Sequence, residues 1–303
     1  MKQRLLFLFL LIFLTTKALG ADIFDVSKAG TSAEMISIGN IEGFSNGAES
    51  VFNNPGGLCR TKKYSLSAFN TEIIDEVTYT NGAFGVYTDA GYFGIGHMYM
   101  GISDITHTEE VSGRFRVKEK FKYKNSITKF VYAREFIPAI NIGAGLSYYH
   151  NKNHTVTGNG FNADIGLTAD VLEYLEASLA VKNILYFSDM EYSNDGEENI
   201  PVQMVLGGKV KTPAGLDIFG QFKKIETRGK LLKSIGIKYS PVMLDIVNLG
   251  LGYKEEFVLD DIQGTFGLGL GVEMFGVGIN YAYSKNDYIE NDKEHYFSIK
   301  FDL

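Results

Sequence analysis

From about residue 60 to its end, this chain alternates apolar and polar residues in blocks of about ten, and that rhythm constrains it more than anything else. Ile140, Ile142, Ala144, Leu146 and Tyr148 fall on one parity, with Asn141, Gly143, Gly145 and Ser147 on the other. Phe161, Ala163, Ile165 and Leu167 alternate with Asn162, Asp164, Gly166 and Thr168, and Val277, Ile279, Tyr281 and Tyr283 with Gly278, Asn280, Ala282 and Ser284. Successive side chains of a strand point to opposite faces, so each block reads as a strand with one apolar face. The blocks place strands at 63–70, 77–88, 91–104, 120–135, 139–150, 159–171, 176–187, 201–211, 215–224, 231–240, 246–256, 262–273, 276–285 and 294–303.

A soluble sandwich also alternates, so the connections decide between the two. Tight turns at 89–91, 135–138, 212–215, 240–241 and 274–276 interleave with longer polar stretches at 151–159, 188–199, 225–230 and 286–293. Short turns on one side and long loops on the other mark a transmembrane barrel, whose interior and lipid-facing positions alternate between aromatic girdles. The 34 Gly, 18 Tyr and 22 Phe suit such walls. The expected fold is therefore all-β: an antiparallel up-and-down transmembrane β-barrel of about fourteen strands over 61–303, with both termini periplasmic. His295, Phe297, Ile299, Phe301 and Leu303 give the last strand an apolar face of the kind that barrel-insertion machinery reads.

The first twenty residues set the compartment. Lys2 and Arg4 precede an apolar run over 5–14, and Ala18, Leu19 and Gly20 supply a small-residue exit, so 1–20 reads as a signal peptide cleaved after Gly20. The run is too short to span a bilayer as a helix, which takes about twenty residues. Export and a barrel together place the chain in a bacterial outer membrane, with lipid as its first partner. Taking the three basic residues of the leader from the 29 in the chain leaves 26 against 36 acids, a mature net charge of −10 that argues against nucleic acid. A single cysteine, Cys59, excludes an internal disulfide and reads as a small hydrophobe.

Residues 21–60 do not alternate and are too long for a tail; they read as a plug segment folded back into the bore, which fourteen strands leave wide. The segment holds Ala29, Gly30, Thr31, Ser32, then Ile38 and Gly39, then Gly47 and Ala48, and ends in Phe52, Asn53, Asn54, Pro55, Gly56, Gly57 and Leu58. These residues resemble the N-terminal signature of PorV/PorQ-type proteins, which belong with the FadL-like transporters in one superfamily of fourteen-strand barrels. Gly56 stands where that family usually has Ala. The resemblance implies a lumenal plug and a ligand or plug role for Phe52 to Leu58. It also implies either of two functions: a channel for hydrophobic or amphiphilic small molecules, or a surface protein that carries cargo proteins for a secretion system. A non-transporting structural barrel is the third reading.

One further feature comes from the residues themselves. Arg114, Arg116, Lys118, Lys120, Lys122 and Lys124 share one parity, which continues into Ser126 and Thr128 opposite Ile127 and Val131. That pattern predicts a cationic row on the lumen side of a long hairpin turning near 111–113, a rim able to collect carboxylates or phosphates, or else a solvated hairpin. Catalysis is not expected. Gly43, Ser45 and Gly47 match a hydrolase elbow by spacing, but the strand and helix that elbow needs are missing. His97, His107, His150, His154 and His295 show no metal-ligand spacing, so neither a metal nor a cofactor is expected.

Overall fold

A computed structural model describes residues 29–73, 77–111, 113–185, 188–242, 246–258, 261–285 and 293–303; the expected leader lies outside them. The strands are β1 (Tyr64–Ile73), β2 (Val77–Thr88), β3 (Gly91–Val111), β4 (Arg114–Ile137), β5 (Ile140–Asn153), β6 (Val156–Leu172), β7 (Leu175–Lys182), β8 (Met190–Tyr192), β9 (Glu197–Glu198), β10 (Gln203–Lys211), β11 (Leu216–Ile225), β12 (Leu231–Tyr239), β13 (Val247–Val258), β14 (Asp261–Met274), β15 (Val277–Lys285) and β16 (Lys293–Asp302). β8 and β9 form a small ribbon against β6, and β7 pairs directly with β10, so fourteen antiparallel strands make the wall. β1 pairs with β16 from Ser65↔Asp302 to Asn70↔Phe297, which closes the ring. No edge is left along that seam for lipid to meet.

Burial follows the alternation. Phe84, Phe93, Ile95, Phe130, Leu146, Ile165, Leu268 and Phe297 are exposed on the outer face, while Ser67, Asn81, Ser147, Thr168, Gln221 and Ser298 are buried on the inner one. An apolar skin over a polar inner parity is the pattern of a wall solvated by lipid. The fourteen expected strands all appear, and the main difference lies at their external ends. The polar stretch 151–159, read as a loop, is strand: Asn153 pairs with Val156 and the turn takes two residues. β3 and β4 likewise run 21 and 24 residues, far beyond the roughly 9–11 that a bilayer requires. Polar composition marks where strands leave the lipid, whereas backbone pairing continues past that level.

Residues 29–61 lie against the inward parity of the wall. A short helix, α1 (Ala33–Ser37), is capped by the Ser32 hydroxyl, which accepts from the Met35 N–H, and three 3-10 turns follow at Glu42–Phe44, Gly47–Val51 and Pro55–Arg60. Each short element meets a different part of the ring, α1 against β13 to β16 and the last turn against β4 to β6. Charges tie the segment in place. Glu42 accepts from Lys182 (2.5 Å) and Lys223 (2.7 Å), Glu34 from Lys238 (2.6 Å), and Arg60 donates to Glu176 (2.6 Å). Gly39 sits at φ +81°, where a Cβ would come within 2.6 Å of the Tyr253 carbonyl, so the backbone of this segment touches the backbone of the wall.

The Glu42 pairs are the most buried of these ties, and removing the shared carboxylate leaves Lys182 charged and nearly fully buried. Glu42→Ala is expected to cost about 3–5 kcal/mol, read as a lower urea-unfolding midpoint in detergent. Glu34→Ala, which breaks a more exposed pair, should cost clearly less.

Candidate functional site

A groove of about 670 Å³ lies on the outer wall, across β2 to β6. Strand register explains its shape. One outward row runs Phe84, Ile95, Phe130, Leu146, Ala163, and the next runs Val86, Phe93, Tyr132, Ala144, Ile165. Ala144 and Ala163 are the small members of rows of large side chains, so the skin dips there. The walls of the dip are apolar, and Asp164 is the one carboxylate in its lining.

Part of the N-terminal segment backs the wall at this dip. A Cβ on Gly94 would meet the side chains of Val51 and Leu58, and one on Gly143 would meet Pro55, so residues of the N-terminal segment lie directly inside. Higher on the inner side stands an apolar cluster that includes Phe69, Tyr79, Met98, Met100, Ile127 and Tyr149. Met190 and Ile200, from the connection between β7 and β10, are buried in the same cluster. Apolar surface therefore lies on both faces of one stretch of wall.

The seam between β6 and β7 beside the groove is unusual. Their regular ladder reaches Ile165↔Val181, after which Asn183 takes a left-handed φ of +59° and the strands part. The Ile184 N–H still reaches the Ala163 carbonyl (2.9 Å), but side chains satisfy the remaining groups. Asp164 accepts from the Asn183 N–H (2.9 Å), and Asn162 accepts from the Leu185 N–H (2.9 Å). Asp164 is buried and also takes Lys129 (2.5 Å) and the Ser147 hydroxyl (3.3 Å), while Asn183 accepts from the Tyr149 hydroxyl (2.5 Å). A polar node thus separates the outer groove from the inner cluster. Sequence reading missed the node, although Asp164 and Lys129 are ionisable residues on the inward parity of lipid-crossing strands, and that is a signal.

Phe52, Asn53, Asn54, Pro55, Gly56, Gly57 and Leu58 are all buried, and they lie against β2 to β6 behind the groove. Asn54 carries much of the local order. Its Oδ1 accepts from the Gly56 N–H (3.1 Å) to cap the turn, and its Nδ2 donates to the carbonyls of Gly43 (3.0 Å) and Leu167 (3.1 Å). Gly56 has a local reason to differ from Ala: a Cβ there would lie 3.0–3.1 Å from backbone atoms of Leu167, Asn141 and Gly166. Ser45 donates to the Glu42 carbonyl within a tight turn, with no strand–elbow–helix around it.

The cationic row is placed differently from the expectation. Ile127 and Val131 face inward into the cluster, and Phe130 and Tyr132 face out, so Lys120, Lys122 and Lys124 lie on the outer parity. The error came from assuming a polar bore, whereas an apolar filling draws Ile127 inward. A β-bulge also splits the row. His107 pairs with Glu119 and Thr108 with Val117, which leaves Lys118 as the extra residue and turns Arg114 and Arg116 to the face opposite Lys120. All six side chains are exposed on the external hairpin, Lys118 near Glu109 (3.9 Å) and Lys120 near Asp104 (3.5 Å). A second register shift, in β3 between Ile102 and Ile105, sets His107 opposite Glu119 and gathers groups that sequence spacing kept apart. The Glu119 carboxylate lies 3.4 Å from His107 Nδ1 and 3.0 Å from His154 Nε2.

No protein-family model matches the chain, and no curated protein matches its sequence. Solved structures do match its fold. The CymD monoaromatic hydrocarbon channel superposes with a TM-score of 0.66 at 10% identity, over 92% of this chain and 98% of that one. The Ralstonia pickettii toluene transporter TbuX gives 0.65 at 10% identity, over 93% and 100%. A Pseudomonas aeruginosa FadL homologue gives 0.57 at 11%, over 90% and 98%. At such identities the likeness is one of fold.

Within the N-terminal segment, Glu49 is buried beside the Ser32 hydroxyl, which donates to it at 2.9 Å. Burial raises its pKa first and the charges of Glu34 and Asp302 add to that; against Lys300 and the Ser32 hydrogen bond they push it from 4.5 up to about 7. In the unfolded chain the same carboxyl ionises near 4.5, so its contribution to stability is present below that pH, falls as pH rises, and is gone above about 7. Glu49→Gln should therefore flatten the loss of stability between pH 5 and pH 8, measured as urea-unfolding midpoints in detergent. Parallel curves for the two proteins would show that Glu49 stays ionised in the folded state.

Proposed function

We propose that this chain is an outer-membrane channel for hydrophobic or amphiphilic small molecules, of the FadL-like kind, in which residues 29–61 act as the plug. The carrying observation is the apolar groove at Ala144 and Ala163, opening to the lipid side, with Val51, Pro55 and Leu58 behind it and a buried apolar cluster inside the same strands. An apolar solute leaves water favourably for either surface, at about 25 cal/mol per Å² of apolar area. A porin for polar solutes would have no use for that pair of surfaces. The fold likeness to hydrocarbon channels and to a FadL homologue supports the reading, and that support extends to the outer membrane as location. Phe52 to Leu58 would hold the inner side of the wall, and the exposed cations from Arg114 to Lys124 would meet carboxylates or lipid phosphates at the external hairpin. The alternative of a carrier for exported proteins draws no support from the comparisons.

The test fills the groove. In cells of a Gram-negative host lacking its own hydrophobic channel, this protein should raise uptake of labelled toluene or a long-chain fatty acid several-fold over empty vector. Ala144→Phe with Ala163→Phe should return uptake to near the vector level, while the barrel keeps its heat-modifiable mobility on gels. Equal uptake with the wild-type protein and with empty vector would sink the proposal.

A further inference from the structure

We propose that His107, Glu119 and His154 form a binding site for one divalent transition-metal ion of the zinc class, which staples the β5–β6 turn to the long β3–β4 hairpin. The three residues come from β3, β4 and the turn after β5, and one ligand atom from each lies within 4.8 Å of the others. Tetrahedral zinc with bonds of about 2.0–2.2 Å sets neighbouring ligand atoms about 3.3 Å apart. Two edges of the triangle, 3.4 Å and 3.0 Å, are already close to that spacing. The remaining edge closes through a small rotation of two half-buried imidazoles.

The backbone builds this arrangement in three places. The register shift between Ile102 and Ile105 advances β3 by one residue and sets His107 directly opposite Glu119, the shift at Lys118 ends that stretch, and bulges commonly re-aim side chains beside functional sites. His154 takes φ +53°, a conformation uncommon outside glycine, and this swings its ring back over the hairpin. Phe121 packs edge-on against the His154 ring at 4.9 Å between centroids, and His107 stands edge-on to it at 5.6 Å, so both rings have fixed neighbours. The nearby cations do not defeat the site, because Lys118 and Lys120 are next to Glu109 and Asp104. Two imidazoles and one carboxylate suit zinc, nickel or copper, whereas calcium and magnesium favour all-oxygen sets. Binding takes the lone pair of one nitrogen on each neutral imidazole, leaving its proton on the other ring nitrogen, and requires Glu119 as carboxylate. The ion would leave one or two positions to water and tie the β5–β6 turn to the part of the β3–β4 hairpin that runs on beyond the last β4–β5 pair, Tyr123↔Asn153.

Full-length protein, purified in detergent and stripped with a chelator, is titrated with zinc chloride by calorimetry. One ion per chain is expected, with affinity reduced at least about tenfold in His107→Ala and in His154→Ala. Glu119→Gln, close in shape, should act in the same direction if an alanine variant disturbs the hairpin. His97→Ala, on the wall away from the cluster, should bind as wild type. Zinc should also slow tryptic cleavage of the 114–124 stretch in the wild type and leave the His154→Ala rate unchanged. Failure of the wild type to bind zinc, or equal affinity in His107→Ala with His154→Ala, overturns the proposal, and neither result depends on whether the barrel transports.

Discussion

A sheet in lipid has no water to satisfy an unpaired backbone group, and each such group costs several kcal/mol, so the β1–β16 seam governs everything else in this molecule. The start of the first strand and the end of the last are drawn into it: Lys63 and Tyr64 donate to the Leu303 carbonyl, and Leu303 donates back to Tyr64. Closing fourteen strands fixes a bore wider than wall side chains can fill. Residues 29–61 lie against the inner face of the wall, and their close fit accounts for several of its inward glycines. Where Gly143 and Gly166 face Pro55 and Asn54, a methyl group would collide with the segment. Part of the glycine richness that reads as a barrel trait in composition has a local cause here, since a Cβ on Gly143, Gly236, Gly252 or Gly267 would meet the backbone of this segment.

The same accounting explains the β6–β7 seam. Once the regular ladder ends at Ile165↔Val181, the groups beyond it still need partners, and Asn162 and Asp164 supply them. A carboxylate so placed must itself be compensated, which Lys129 and Ser147 do. An apolar replacement of comparable volume is often as stable as a buried ion pair, so stability alone is a weak reason for this one. What the node supplies is a defined parting of two strands at a place where lipid would otherwise penalise any parting.

Much of this fold was legible in the sequence because period-two alternation and turn placement are local. Fourteen strands and their order follow from them, and so does the outward parity of Phe130, Leu146 and Ile165. The orientation of the cationic row was not legible, for a physical reason. Which parity faces inward depends on what fills the bore, and Ile127 and Val131 face inward because they pack with the N-terminal segment. The ends of the strands were misjudged because polarity reports where lipid stops and not where pairing stops. The groove was half legible: two alanines stand in outward rows of large side chains, but only the register sets Ala144 and Ala163 side by side on adjacent strands in neighbouring rows. His107, Glu119 and His154 could not be grouped at all, since a one-residue shift in β3 between Ile102 and Ile105 decides which residue His107 faces.

Comparing magnitudes shows where resistance to a hydrophobic solute would lie on the proposed reading. Lipid tails are about as apolar as leucine side chains, so transfer from the bilayer into the groove, or from the groove into the cluster around Met98, Met100 and Ile127, changes solvation little. The costly element is the node between them. Separating Lys129 from Asp164 without replacement would cost about 3–5 kcal/mol, enough to hold the wall shut in the resting state. The groups around it, Tyr149, Asn183 and the Pro201 carbonyl, run in sequence from the wall to the connection that carries Met190 and Ile200 into the cluster. A displacement of that connection would therefore be felt at Asp164 through hydrogen bonds, and the apolar surfaces on either side would need no rearrangement of their own. In such a wall the few polar contacts set the barrier, and the many apolar ones set the class of molecule that can reach it.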